Sequence, residues 1–155
     1  MKFADLDRNQ MRAIERINIR VGKEVQMSDN ELARGDLSDC RVLVIEDESL
    51  VAMLIQDTLA DIGCEVVGFA SRFDDAFAKA ESLSFDVAIL DVNLNGRQTF
   101  PIAEALAERR QAFVFSTGYG AASVPASFQN MPILQKPFQQ RDLEQALRAA
   151  LIQVL

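Results

Sequence analysis

Histidine does not occur anywhere in the 155 residues. Its absence excludes Ser-His-Asp and Cys-His mechanisms and removes a common nitrogen ligand for metals. It also means that the chain cannot itself carry phosphohistidine. Cysteine is scarce, and Cys40 and Cys64 form neither a metal-type nor a redox-type spacing. They read as reduced thiols, with a cytoplasmic setting expected. No apolar run approaches the roughly 18 residues of a membrane span, and Met1-Lys2-Phe3-Ala4-Asp5 lacks the apolar stretch of a signal peptide. Basic residues are outnumbered, 16 against 23 acidic ones, for a net charge of −7. That balance argues against general nucleic-acid binding.

What is present suits a soluble globular domain, with 49% apolar residues and enough length for one domain and a little more. Residues 1–39 stand apart as an N-terminal extension. Leu6, Met11, Ile14, Ile17, Val21 and Val25 recur at near-helical spacing behind Asp5 or Asp7 as caps, and residues 28–36 read as a polar linker. Over 40–155, short apolar runs alternate with helical patterns, the pattern of βαβ units and a parallel sheet. Strands are expected at about 41–45, 64–69, 86–90, 112–116 and 132–135. Helices are expected at about 49–61, 72–83, 98–110 and 139–153. Ser49 is the expected N-cap of the first helix, and Gly63 ends it. Between Gly118 and Pro125 a helix is expected by symmetry, shortened or made irregular by Gly118, Gly120 and Pro125.

Four strands run into polar residues. Val42-Leu43-Val44-Ile45 leads into Glu46-Asp47-Glu48, and Val87-Ala88-Ile89-Leu90 ends on Asp91. Phe113-Val114-Phe115 leads into Ser116-Thr117-Gly118, and Ile133-Leu134 is followed by Lys136. Each has a plain reading by itself: helix-capping acids, a turn at Asn93-Leu94-Asn95-Gly96, a loop hydroxyl, a solvated lysine. In an open α/β sheet, however, ligands bind outside the carboxyl ends of the strands. There the set makes one crevice of carboxylates, a hydroxyl and an ammonium. Crowded carboxylates repel unless a cation intervenes, and Mg²⁺ takes oxygen ligands while needing only one or two carboxylates. Asp91 is then placed to act as a nucleophile toward phosphorus, with Lys136 and Thr117 as fixed donors for phosphoryl oxygens.

Residues 41–155 resemble the receiver domain of a bacterial two-component response regulator. The resemblance implies a flavodoxin-like (βα)5 fold, a doubly wound parallel sheet of strand order 2-1-3-4-5. It implies Asp91 as phosphoacceptor and Asp47 as a direct Mg²⁺ ligand. Glu46 would be a direct or water-mediated ligand, Asp91 would also touch the metal, and Asn93 would offer its backbone carbonyl. Thr117 matches the switch hydroxyl, Lys136 the lysine that pairs with the phosphoryl group, and the Lys136-Pro137 bond is typically cis in that family. The expected donor is a sensor histidine kinase or a histidine phosphotransfer protein. The chain departs from the family at Asn95-Gly96-Arg97-Gln98-Thr99-Phe100-Pro101, where a Pro-Gly-Met-Asp-Gly type loop is usual. It departs again at Ile133, where many receivers carry an aromatic partner for the threonine. Phe115-Ser116-Thr117-Gly118-Tyr119 resembles a subgroup of mostly stand-alone receivers with a Phe-Ala-Thr-Gly stretch, and Tyr119 reads equally as a pocket gate or switch and as a surface-loop residue.

The last helical pattern runs almost to the final residue, so no C-terminal effector is expected. Output would pass through a downstream protein partner, or the domain would act as a phosphate sink. Leu143, Leu147, Leu151 and Val154 form the core stripe of that helix, while Ile152 and Leu155 lie off it. A homodimer through this helix or through the N-terminal one is a further expectation. Arg8, Arg12, Arg16 and Arg20 read as a solvated stripe. The expected protein is no enzyme beyond its own phosphorylation and dephosphorylation. Two other readings are an aspartyl-phosphate phosphatase, disfavoured by Asn93 where a second acid is typical, and a degenerate receiver that binds partners without phosphorylation.

Overall fold

The computed structural model describes residues 37–154. The expected N-terminal helix, its arginine stripe and Leu155 lie outside them. Five parallel strands make the sheet: β1 (Arg41–Ile45), β2 (Glu65–Ala70), β3 (Val87–Asp91), β6 (Ala112–Thr117) and β7 (Ile133–Gln135), in the order β2-β1-β3-β6-β7. Counted over the sheet strands alone, that is the expected 2-1-3-4-5. Between β3 and the next helix lies a small antiparallel hairpin that the sequence reading did not include, β4 (Asn93–Leu94) and β5 (Arg97–Gln98). Four α-helices complete the layers: α1 (Ser49–Ile62), α2 (Phe73–Ser82), α3 (Phe100–Glu108) and α4 (Gln140–Gln153).

Side chains alternate across a strand, and here both faces are covered, so the strands read as nearly unbroken apolar runs. Val42, Val44, Val87, Ile89 and Val114 face α1 and α4, meeting Ile55, Leu59, Leu143 and Leu147. Leu43, Ile45, Ala88, Leu90, Phe113 and Phe115 face α2 and α3, meeting Ala76, Ala80, Ile102 and Leu106. Cys40 is buried, Cys64 is half-buried, and both are thiols.

Helix α1 starts at Ser49, as its expected range has it, but Ser49 is not its cap. Ser49 is already helical and Glu48 occupies the cap position with extended backbone. The reason is local: the Glu48 N–H donates to Glu46 Oε1 at 3.1 Å, which closes the turn without a serine cap. Gly63 ends the helix as expected, at φ 94. Its N–H donates to the Ala60 carbonyl and that of Cys64 to Leu59, the paired bonds of a Schellman motif. Helix α3 is shorter than the expected 98–110, because Arg97 and Gln98 belong to the hairpin and Arg110 turns left-handed at φ 52.

Between β6 and β7 no α-helix forms. Two 3₁₀ turns, Ala121–Ser123 and Ala126–Phe128, stand there, as Gly118, Gly120 and Pro125 lead one to expect. Aromatic packing fills the space. Phe128 reaches back against Phe115 at 5.5 Å and Phe113 at 6.2 Å, and Phe100 of α3 stacks on it at 6.3 Å. Ile133 packs at the edge of the same cluster.

Candidate functional site

The sheet's hydrogen-bond ladder runs one residue past several strand ends, and this fixes the site. Glu46 N–H donates to the Ala70 carbonyl at 3.0 Å, Val92 N–H to Ser116 at 3.0 Å, and Lys136 N–H to Thr117 at 2.8 Å. Register sets Ile45 beside Leu90, Asp91 beside Ser116 and Thr117 beside Gln135. The polar ends of β1, β3, β6 and β7 thereby meet in an open cleft of about 830 Å³, lined by Asp47, Asp91, Asn93, Thr117, Tyr119 and Lys136 among others.

Carboxylate oxygens of Glu46, Asp47 and Asp91 lie within 4.8 Å of one another. Glu46 and Asp91 are buried and Asp47 is half-buried. Lys136 Nζ answers this charge, standing 2.7 Å from Glu46 Oε2 and 3.3 Å from Asp91 Oδ2. The Glu46 contact is an ion pair without hydrogen-bond alignment. Burial, then the hydrogen bond and like charge of Glu46, push the Asp91 carboxyl up to about 7, with Lys136 and the Asn93 N–H pulling the other way. Burial works against the Lys136 ammonium, but Glu46 and Asp91 outweigh it and raise its pKa. Asp47 lies below the usual carboxylate range. Burial opposes this, and is outweighed by the N–H of Asn95 together with hydrogen bonds from Asp91, its own amide and Glu46.

The hairpin reaches this cluster as well. Asn95 and Gly96 have φ of 51 and 83, the two left-handed residues of a type I′ turn. The Asn95 N–H donates to Asp47 Oδ2 at 3.0 Å, and the Asn93 N–H to Asp91 Oδ1 at 3.3 Å. The Asn93 side chain faces inward along the hairpin, its Oδ1 accepting from Gly96 N–H at 2.7 Å. Arg97 lies 3.6 Å from the Phe73 ring centroid and 3.3 Å from Asp74, tying the hairpin to α2.

Thr117 is buried at the mouth of the cleft. Its Oγ1 accepts from the Tyr119 N–H at 3.0 Å and lies 3.0 Å from Ser123 Oγ. The Tyr119 ring, 87% exposed, stands out from the surface, so this residue meets the site through its backbone. The Lys136-Pro137 bond is cis.

All of the sequence-derived residues thus converge. Two further residues, Thr99 and Ser123, support the site. Thr99 is fully buried, and its Oγ1 donates to the Asp91 carbonyl at 2.5 Å, bracing the end of β3 from the start of α3. Ser123 partners Thr117. Ser116 sits inside the core with no hydrogen-bond partner for Oγ. A hydroxyl residue before a helix was the available signal for Thr99; Ser123 had none, because its role arises from the fold of an irregular connection.

The metal set fits the chemistry of a hard divalent cation, which takes carboxylate and carbonyl oxygens. Asp47 and Asp91 line the cleft, whereas Glu46 lies behind them, its oxygens facing Glu48 N–H and Lys136.

A family model described as the response regulator receiver domain matches residues 42–148. The chain is similar to SdrG from Sphingomonas melonis Fr1, with 42% identity and a TM-score of 0.67 over 72% of this chain and 96% of that one. A structure titled as the BeF3-activated conformation of SdrG, from Pseudomonas melonis Fr1, matches with 42% identity and a TM-score of 0.64, over 74% of this chain and 98% of that one. Among curated proteins, the transcriptional regulatory protein PdtaR of Mycobacterium tuberculosis is 32% identical over 114 residues, 71% of this chain. The chain spans 56% of the length of that relative.

Proposed function

Because the chain belongs to the response regulator receiver domain family, we propose that it accepts a phosphoryl group on Asp91 from a histidine-bearing partner and signals through altered protein contacts. The observation that carries this reading is Asp91 itself: a buried carboxylate, crowded by Glu46 and Asp47, with Lys136 3.3 Å away. In the transfer, an Asp91 carboxylate oxygen attacks phosphorus and the P–N bond of a phosphohistidine breaks. The imidazole leaves with the electron pair and takes up a proton. The histidine must belong to the partner, since this chain has none. A sensor histidine kinase or a histidine phosphotransfer protein supplies that chemistry.

Asp47 and Asp91 would hold Mg²⁺ directly, with the Asn93 carbonyl and, through water, Glu46. The bound ion would supply charge neutralisation for the attacking carboxylate and the phosphoryl oxygens. Lys136 holds positive charge against the same oxygens, and the Asn93 N–H orients Asp91 through Oδ1. The donor would dock on α1, which leads away from the cleft residue Glu48 and leaves Leu50, Met53 and Leu54 exposed. Turnover is limited to the domain's own phosphorylation and dephosphorylation. Intact-mass measurement with Mg²⁺ and acetyl phosphate tests the reading: wild type gains one phosphoryl group and Asp91→Asn gains none. Equal labelling of both proteins, or of neither, overturns it.

A further inference from the structure

Thr117 has a single hydroxyl hydrogen, and in this structure its destination can be read. Ser123 Oγ lies 2.7 Å from the Gly120 carbonyl, which can only accept, so the serine hydrogen points there. At the 3.0 Å contact between the two hydroxyls, Thr117 must therefore be the donor and Ser123 the acceptor. Thr117 Oγ1 in turn accepts from the Tyr119 N–H at 3.0 Å. Donor and acceptor roles of the threonine are both filled by the connection between β6 and β7. This arrangement closes the 3₁₀ turn Ala121–Ser123 alongside the backbone bonds of Ser123 N–H to Gly120 at 3.2 Å and Val124 N–H to Ala121 at 3.1 Å.

A phosphoryl group on Asp91 adds acceptor oxygens to a cleft that Thr117 and Ser123 both line. We infer that Ser123 is a latch, holding the Thr117 hydroxyl on the loop until a phosphoryl group competes for the same hydrogen. Ser123 acts through Thr117 and does not touch the reacting atoms. Transfer of the hydrogen bond leaves Ser123 Oγ without its donor and frees the turn, so that the segment 118–124 reports the state of Asp91. Its exposed face carries Tyr119 and Ala121–Ala122. The device would let this chain couple its pocket to its surface although Ile133, paired with Phe115 across the neighbouring strand, stands where many receivers carry an aromatic ring. It rests on the proposal that Asp91 is the phosphoacceptor.

The test is calorimetric titration of the full chain with beryllofluoride in the presence of Mg²⁺. Ser123→Ala removes the competing acceptor and is expected to tighten binding about threefold to tenfold, the worth of one net hydrogen bond. In a Thr117→Ala background the same substitution is expected to change nothing, an outcome that a merely structural role for Ser123 would not give. Ser123→Cys, a poorer acceptor that keeps the side-chain volume closer, should fall between the two. Amide exchange in residues 119–124 should quicken in wild type when beryllofluoride binds. Unchanged or weaker binding by Ser123→Ala, or an equal effect with and without the Thr117 hydroxyl, overturns the latch. Failure of wild type to bind beryllofluoride, or equal binding by Asp91→Asn, would instead sink the phosphoacceptor reading, so the two failures are distinguishable.

Discussion

Asp91 links acidity to stability. With its pKa raised from 3.8 to about 7, the native state holds the proton more tightly than the unfolded chain does. The contribution is complete below about pH 4 and lost as pH rises through about 7. Metal-free protein should therefore lose stability across that window, by on the order of a few kcal/mol before Lys136 and Glu46 share the effect. Asp47, shifted the opposite way, acts below its ordinary value of 3.8 and outside this window. Denaturant melts at pH 5 and pH 8 should show a smaller difference for Asp91→Asn, and added Mg²⁺ should recover stability mainly at pH 8. A metal-free wild type whose stability rises from pH 5 to pH 8 would refute this. Lys136→Met strands two buried carboxylates without their cation, and should cost about 3–5 kcal/mol by chemical denaturation. Ser116→Ala runs the other way. The serine hydroxyl is fully buried with no partner for its oxygen, so its removal should stabilise by about 1 kcal/mol.

At the scale of elements, the hairpin after β3 holds Asp47 through a backbone amide that is aimed by the Asn95-Gly96 turn. A Cβ on Gly96 would meet nothing within 4 Å, so the cost of Gly96→Ala is backbone strain at φ +83. It should destabilise by about 1–2 kcal/mol and weaken Mg²⁺ binding, measured by calorimetry, by loosening Asn95 from Asp47. Gly68 differs: its Cβ would stand 2.6 Å from Leu83 Cδ1 and 3.1 Å from Leu43 Cδ1, next to the register shift between β1 and β2. Alternation of apolar runs and helical periods was enough to read the parallel sheet and the four polar strand ends, while the strand order came from the resemblance to receiver domains. The hairpin escaped because strands of two residues carry no periodicity, and Asn93-Leu94-Asn95-Gly96 announces only the turn between them. Ser49 misled for a related reason. A serine before an apolar stripe is a good cap by composition, but the Glu46 carboxylate had already taken the Glu48 amide. Glu46 with Lys136 joins distant parts of the chain, and Thr117 with Ser123 meets across an irregular connection; both depend on side-chain packing, which no local pattern encodes.

Over the whole molecule, chemistry and scaffolding occupy opposite ends of the sheet. At the amino ends of the strands, Asp86 Oδ2 accepts from the Arg41 N–H at 2.8 Å and its carbonyl accepts from Gln111 Nε2 at 3.0 Å. Asp86→Ala should cost about 1–3 kcal/mol of stability while acetyl phosphate still labels Asp91 at the wild-type rate. On the other side, Leu54→Arg on the exposed face of α1 should slow transfer from a protein donor and spare transfer from acetyl phosphate. Equal loss with both donors would place Leu54 in the fold and not at a docking surface. Among the described residues no helix is long and apolar enough to cross a membrane. The chain holds one tyrosine and no tryptophan, and that tyrosine projects into solvent two residues beyond Thr117. Near-ultraviolet absorbance and emission at tyrosine wavelengths therefore come chiefly from a single ring at the lip of the cleft, and the protein carries its own optical probe of that lip without any added dye.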